Sequence, residues 1–343
     1  MAEPLHHLIK IPNRTYQSFA RSEIKKLAKE AGFTGSILGE VEIIAAEFTS
    51  NLSKHTTEGG EILVKKLMSN NVSIGIEFLC IDNGPGISSP TKMMEDGIST
   101  TKTLGQGLGA IQRISDEFQI YSQKDWGTVI LSRKFLDKKV TGKLRWVQLN
   151  VIAVPKNGEI VSGDSWGYVL KGSHFKFIIA DGLGHGFNAA VAASEAIKSF
   201  RIHHTLHPDE TLRRIHQDIK KTRGAVINIT HIDFNQDLMT YCGVGNISAK
   251  LISLPVRNKS FVSYNGIIGH STPTSIANHS YKWEENDILL FHSDGLKSRW
   301  DINKYPSIQK YDGSIIAAAL YKDHLRGNDD VTIVVIRSKK RNS

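Results

Sequence analysis

Hydrophobic and polar positions follow two different rhythms along this chain, and the change falls before its middle. Tyr16, Phe19, Ala20, Ile24, Leu27 and Ala28 recur at helical spacing, with Gly32 as a natural stop. A second helix is predicted from about Gly39 to His55, with an apolar stripe of Val41, Ile44, Ala45, Phe48 and Leu52. The run VSIGIEFLCID then alternates as a strand does, setting Val72, Ile74, Ile76, Phe78 and Cys80 on one side. A glycine-rich loop, a helix in LGAIQRISDEF and strands in QIYSQ and TVILSRKF complete an α/β layer.

The segment LDKKVTGK is polar, basic and without hydrophobic period, so it marks a boundary. Residues 1–136 are predicted to form a first domain, 137–143 a linker and 144–343 a second domain. Beyond the linker, strand-like runs dominate: WVQLNVIAV, HFKFIIA, AVINITHIDF, LMTYCGV, DILLFHS and VTIVVIR among them. The helical patterns NAAVAASEAIKSF, PDETLRRIHQDIKKT and SIIAAALYKDHL interrupt them. That layout predicts an α+β architecture of mainly antiparallel sheets covered by helices.

Composition narrows the class. A chain of 343 residues accommodates two ordinary domains, and 40% hydrophobic with 22% charged residues suits a soluble globular protein. No apolar run approaches the roughly 18 residues that span a bilayer, and MAEPLHHLIK lacks the form of a secretory signal, so no membrane is expected. Cys80 and Cys242 lie in strand-like runs and read as buried thiols of a reducing cytoplasm. The net charge is +9, but the basic residues are dispersed and only RSKKRNS forms a run. A solvated basic surface is preferred to a nucleic-acid partner.

Two groups of residues carry candidate chemistry. On the second helix Glu47, Asn51 and His55 are four apart, hence on one face. A carboxylate beside an amide suits activation of a hydroxyl and ligation of Mg²⁺, although a solvated face would look the same. DNGPGI, with Asp82, Gly84 and Gly86, follows a strand, and TLGQGLGA, with Gly105, Gly107 and Gly109, opens a helix whose free N–H groups suit phosphate. WGT, ending at Thr128, precedes the last strand of the layer.

The order ExxxN, DNGPGI, GxGLG, GT resembles the GHKL ATPases of histidine kinases and anti-sigma serine kinases, and EDGISTTKTLGQGLGAIQRISDEFQIYS resembles their RsbT-like switch kinases over about residues 6–135. The resemblance implies an ATP site with Mg²⁺ in a GHKL-type α/β sandwich. In it Glu47 is the catalytic base, Asn51 the Mg²⁺ ligand, Asp82 the adenine reader, and Gly105, Gly107 and Gly109 the phosphate loop. Gly84 and Gly86 belong to the same pocket, Thr128 lies near the adenine, and Ser99, Thr100 and Thr101 belong to a nucleotide lid. Gln106 stands where related proteins usually carry Leu.

The second group consists of acids at strand ends: Asp164 in GDSWG, Asp181 in ADGLGHG, Asp294 in SDG, and Asp329 with Asp330 in GNDD. Clustered carboxylates repel one another unless cations stand among them, and hard Mg²⁺ or Mn²⁺ suits such oxygen donors. The order GD, ADGLGHG, SDG, DD resembles the metal-dependent protein phosphatases (PPM), in particular their SpoIIE and RsbX branch, and KTRGAV, GVGNI and NGIIG fit it too. This resemblance covers about residues 144–338 and implies a PPM-type β-sandwich flanked by helices. Asp164 and Asp181, helped by the Gly182 carbonyl, would hold two Mn²⁺ or Mg²⁺ ions, with Asp294 and Asp329 completing the shell. His185, beside Asp181, is a weaker candidate acid, and His292 is read as packing.

Together the resemblances imply a protein serine/threonine kinase fused to a phosphoserine/phosphothreonine phosphatase. The implied partner is a STAS-domain phosphoprotein within a stressosome-like or sigma-factor regulatory system. Two other readings stand beside it: a phosphatase governed by a non-transferring, ATP-sensing or partner-binding first domain, and a basic nucleic-acid-binding protein without activity.

Overall fold

The computed structural model describes residues 4–56, 59–87, 104–253 and 257–339. The Ser99, Thr100 and Thr101 lid, the side chain of His55 and the end of the basic tail lie outside the described residues. The chain divides into two compact units. The first comprises Pro4–Lys143 together with Asp301–Lys322, and the second comprises Leu144–Trp300 and the chain from Asp323 onward.

In the first unit, β1 (His7–Ile11), β2 (Gly60–Ser69), β3 (Val72–Asp82), β4 (Glu117–Gln123) and β5 (Gly127–Phe135) form an antiparallel sheet in the order β1-β2-β3-β5-β4. Helices α1 (Gln17–Glu30), α2 (Gly35–His55) and α3 (Leu104–Ile114) join it in one core. Their stripe residues Ile24, Leu27, Phe48 and Leu52 meet Ile76, Phe78 and Cys80 of β3 there, as the alternation of that strand predicts. Each such side chain, fully removed from water, contributes about 1.5–3 kcal/mol. The start of α2 lies a full turn before the predicted Gly39.

The opposite positions of the same strands are also buried: Lys65, Glu77, Leu79, Ile81, Leu131 and Arg133. Residues 301–322 belong to this side. Arg133 forms a two-pronged ion pair with Asp312, through Nη1 at 3.0 Å and Nη2 at 2.8 Å. Ser314 donates to Glu77 at 3.0 Å, and the Asp312 amide donates to the Gln119 side chain at 2.7 Å. Tyr121 meets Tyr311 edge-on, and Trp126 meets Tyr305 in the same manner. Residues 301–322, expected within a domain over 144–343, pack with the first unit, where Arg133, Glu77 and Gln119 have partners among them. Helix α6 (Gly313–His324) begins in this segment. Its residues Gly313 to Tyr321 are all buried, the mark of a helix covered on every side.

The second unit packs two antiparallel five-stranded sheets. Strands β6 (Val147–Val154), β7 (Asp164–Lys171), β8 (His174–Gly182), β9 (Ala225–Asp233), β10 (Leu238–Val244), β11 (Ser248–Ser253), β12 (Arg257–Ser260), β13 (His279–Lys282), β14 (Ile288–His292) and β15 (Val331–Ser338) supply them. The orders are β13-β10-β9-β8-β7 and β12-β11-β14-β15-β6. Phe177 of β8 and Phe291 of β14 bring their ring centres to 5.5 Å, so the sheets meet face to face through an apolar core. Helices α4 (Phe187–Ile202) and α5 (Pro208–Asp218) bury Ala193, Ile197, Phe200, Leu212 and Ile215 with Ile178, Ile227 and Ile229 of β8 and β9. Pro208 at the first turn of α5, with Asp209 and Glu210 after it, suits a helix start. The α+β class predicted from the pattern is the class observed, and no helix among the described residues is long and apolar enough to cross a membrane.

Candidate functional sites

In the first unit the face of α2 predicted to carry chemistry points at α3. A Cβ on Gly107 would overlap Glu47 Oε2 and stand 3.6 Å from Asn51 Oδ1, so only glycine lets α3 pass this close to the pair. Asn51 Nδ2 is buried and has no hydrogen-bond partner among the described residues, a condition that a buried amide tolerates poorly without a ligand. The glycines expected as a loop lie inside α3, which starts at Leu104. The unpaired N–H groups of its first turn are therefore the anion donors available. Gly109 sits over Arg113 of its own helix and meets none of the other candidates.

A second subgroup lies where β3 ends. Asp82 pairs in register with Thr128 of β5, accepts from the Gly84 amide at 2.8 Å and accepts from Thr128 as well. Burial raises its carboxyl above the usual range, against those hydrogen bonds and the nearby charge of Lys322. Ser122 ties the turn together: it donates to the Gly127 carbonyl at 2.8 Å and accepts from the Ile87 amide at 2.7 Å. Gly86, at φ 72°, abuts the Gln123 carbonyl, so its glycine requirement is a close backbone crossing.

In the second unit the acids at strand ends gather at one edge of the sandwich. Asp164 on β7 lies directly opposite Asp181 on β8. Ser293 donates to Asp164 Oδ2 at 2.6 Å, and its own oxygen accepts from the Thr332 amide at 2.9 Å. Asp164 Oδ1 is buried and makes no hydrogen bond of ordinary geometry among the described residues, although the Thr332 side chain stands beside the carboxylate. Burial, reinforced by Asp330 and Asp294, pushes the Asp164 carboxyl upward. Burial, followed by Asp164, Asp294, Asp329 and Asp330, does the same to Asp181. Asn246 Nδ2 donates to Asp294 at 3.0 Å. Asp330 has a different task from its neighbour: its two oxygens accept from the amides of Lys156 and Gly163, each at 2.8 Å, and clasp the chain leading to Asp164.

Among the described residues, no three His, Cys, Asp or Glu groups are drawn together tightly enough to hold an ion as they stand. The donor set nevertheless fits a hard divalent cation. It offers only oxygens, one is a buried carboxylate atom without a regular hydrogen bond, and burial followed by the neighbouring carboxylates raises the proton affinity of Asp164 and Asp181. A Cβ at Gly182 would overlap the Ala189 carbonyl, so glycine lets the turn after Asp181 run against α4.

His185 is turned outward to Glu159, with Nδ1 at 3.0 Å. His292 accepts from the Trp300 indole at 3.1 Å and is a packing residue held neutral by burial, which lowers its pKa to about 4. Ser293, Asn246 and Thr332 escape a reading by acids alone. The motifs SDG and GVGNI contain the first two, but only the fold brings them to the carboxylates.

The comparisons with known proteins match the two halves of the chain separately, and the second match runs through residues 301–322. Residues 12–134 match the model of the histidine kinase-like ATPase domain, and residues 171–339 match that of stage II sporulation protein E (SpoIIE). The serine/threonine-protein kinase RsbT of Bacillus subtilis (strain 168) is 32% identical over 117 residues, covering 34% of this chain and 86% of RsbT. The phosphoserine phosphatase RsbX of the same organism is 28% identical over 173 residues, covering 49% of this chain and 86% of RsbX. A crystal structure of RsbX in complex with magnesium superposes with a TM-score of 0.52 at 24% identity, covering 57% of this chain and 98% of that one. The families imply nucleotide use in the first unit and a divalent metal in the second. The chain belongs to the RsbT-like histidine kinase-like ATPases through its first unit, and fused to it is a SpoIIE-family domain with the PPM phosphatase fold.

Proposed function

We propose that this chain is a two-way phosphorylation switch: the first unit transfers phosphate from ATP to a serine or threonine of a STAS-domain protein, and the second unit removes it. The observation that carries the hydrolytic half is Asp164, buried opposite Asp181 with one oxygen oriented by Ser293 and the other without a hydrogen bond of ordinary geometry among the described residues. Asp164, Asp181, Asp294 and Asp329, with the Gly182 carbonyl, are the residues that would hold Mg²⁺ or Mn²⁺. A divalent ion supplies there the positive charge that a phosphoryl group needs and an acidified water. Ser293 fixes the rotamer of Asp164, Asn246 fixes Asp294, and Asp330 holds the preceding loop in place.

In the first unit Glu47 is the group placed to accept the serine proton, and Asn51 is the candidate ligand of the ATP-bound Mg²⁺. Asp82 and Thr128 are the candidates for the adenine edge, and the start of α3 for the phosphates. RsbT and RsbX, by their names a kinase and a phosphatase, support joining both activities in one chain.

The test is paired. Wild type and Glu47→Ala are incubated with labelled ATP, Mg²⁺ and a STAS-domain protein, and phosphate release from the labelled product is followed with Mn²⁺ for wild type and Asp181→Asn. Transfer lost in the first variant and release lost in the second are expected. A wild type that binds ATP yet transfers nothing would refute the kinase half. It would then favour a second reading, a phosphatase governed by a nucleotide-sensing unit. Residues 301–322 support that reading, because they run between Asp294 and Asp329 and yet pack in the first unit.

A further inference from the structure

The rim of the acidic cluster has a character opposite to its interior. Three stretches meet there. The Gly182 amide donates to the Gly163 carbonyl at 3.0 Å, and the Leu183 amide donates to the Gly224 carbonyl at 3.0 Å. Glu159 reaches His185 at 3.0 Å and stands 3.3 Å from a Cβ built on Gly186. Residues 159–163, 182–187 and 222–224 thus form one continuous edge.

Arg223 lies at the centre of that edge. Its Nη1 is 3.1 Å from a Cβ built on Gly184, which places the guanidinium over the loop after Asp181. The backbone that presents it is fixed. Gly224 has φ 77° and donates its amide to Thr222 Oγ1 at 3.0 Å, and a Cβ there would meet the Ile268 carbonyl at 2.7 Å. Arg223 is exposed, and no ion pair or hydrogen bond engages its guanidinium among the described residues. The neighbouring carboxylate, Glu159, is already occupied by His185. An arginine held over the loop after Asp181 and paired with no carboxylate among the described residues is a fork open to an incoming anion.

The same edge exposes large apolar side chains. Ile160 is 92% exposed, Phe187 73% and Leu183 44%, one or two from each of the stretches that flank Asp164 and Asp181. Apolar groups gathered on a rim are a surface for another protein, whereas a small phosphate ester would leave them in water.

We propose that this rim is the docking surface for a phosphorylated segment of a protein substrate. Arg223 pairs with the phosphate dianion, and Ile160, Leu183 and Phe187 receive apolar side chains on either side of the phosphoresidue. The inference rests on the phosphatase reading and adds to it the residues that select the substrate.

Fluorescent peptides carrying a non-hydrolysable phosphonate analogue of phosphoserine, with apolar or with Gly/Ser flanks, and their unphosphorylated forms are titrated by anisotropy against the full chain in Mn²⁺. Hydrolysis of an aryl phosphate by the same preparations is followed alongside. The wild type is expected to prefer the apolar-flanked phosphopeptide by about tenfold over each alternative. Arg223→Ala should lose the preference for phosphate, with partial recovery in Arg223→Lys. Ile160→Ser with Phe187→Ser should lose only the preference for apolar flanks. Mn²⁺ uptake and melting temperature, measured on each variant, report whether the fold and the acid cluster are intact.

Equal affinity for phosphorylated and plain peptides in the wild type, or phosphate preference surviving in Arg223→Ala, would overturn the proposal. So would flank preference surviving in the double variant. Selective phosphopeptide binding without aryl phosphate hydrolysis would instead remove the phosphatase reading and leave the docking surface standing.

Discussion

Arg133 tests how residues 301–322 are held. All five N–H donors of its guanidinium are engaged: Nε with Glu77 at 2.7 Å, Nη1 with Glu117 at 2.7 Å and Asp312 at 3.0 Å, Nη2 with Asp312 at 2.8 Å and Ser314 at 3.0 Å. Its side chain is 9% exposed, and that of Glu77 2%. Arg133→Ala therefore takes the guanidinium away from two buried carboxylates, Glu77 and Asp312, while Ser314 keeps its bond to Glu77. Removing one partner of a buried ion pair costs about 3–5 kcal/mol, whereas an exposed pair is worth about 1 kcal/mol or less. Lys65 at 3.1 Å and His6 at 3.5 Å remain beside Glu77, so the lower part of the range is expected. At about 2–4 °C per kcal/mol for a unit of this size, the melting point should fall by roughly 6–16 °C. Trp126, edge-on to Tyr121 and Tyr305, provides a fluorescence reporter within the same unit. A change under about 1 kcal/mol would refute the assignment of this cluster as the anchor of 301–322.

Other consequences follow from single residues. Burial alone would raise the Glu77 carboxyl, but Lys65, Arg133 and His6 hold it well below the usual range. Its contribution is present above the unfolded value of about 4.3 and is lost as pH falls below that through the folded value, so acid melting of the first unit should become shallower in Glu77→Gln; an unchanged acid profile would contradict this. Gly182→Ala sets a methyl group against the Ala189 carbonyl, and about 1–3 kcal/mol of overpacking together with lost Mn²⁺ uptake is expected by thermal melting and calorimetry; wild-type values in both would refute the close approach. Asn51→Ala removes a buried donor that lacks a partner, so stability should hold or rise while affinity for a fluorescent ATP analogue with Mg²⁺ falls about tenfold. A stability loss with unchanged affinity would make Asn51 a packing residue.

The legible part of this molecule was whatever periodicity or turn chemistry writes locally. The stripe of α2 and the alternation of β3 follow directly from spacing, and acid–glycine pairs at strand ends mark the two candidate sites. What stayed hidden depends on partners distant in sequence. Nothing in TVILSRKF says that Arg133 meets Asp312, and the composition that marks the linker is blind to the packing of 301–322 with the first unit. One sign was present: SIIAAALYKDHL is apolar on every face of its first turns, which implies cover on all sides. Gly105, Gly107 and Gly109, which the resemblance makes a phosphate loop, lie inside α3, where the close approach of Gly107 to Glu47 outweighs the low helix propensity of glycine. Ser293 and Asn246 carried no signal of their own, since hydroxyls and amides gain a role only when the fold sets a carboxylate beside them.

The central claim is that the carboxylates at the end of the second unit's sandwich exist to hold a divalent cation for phosphate hydrolysis. Calorimetric titration of Mn²⁺ into the wild-type chain and into Asp164→Asn tests it most directly. The account predicts uptake by the wild type that is lost or strongly weakened in the variant, in step with loss of phosphate release. Equal uptake by both, or none by the wild type at millimolar metal, would contradict it.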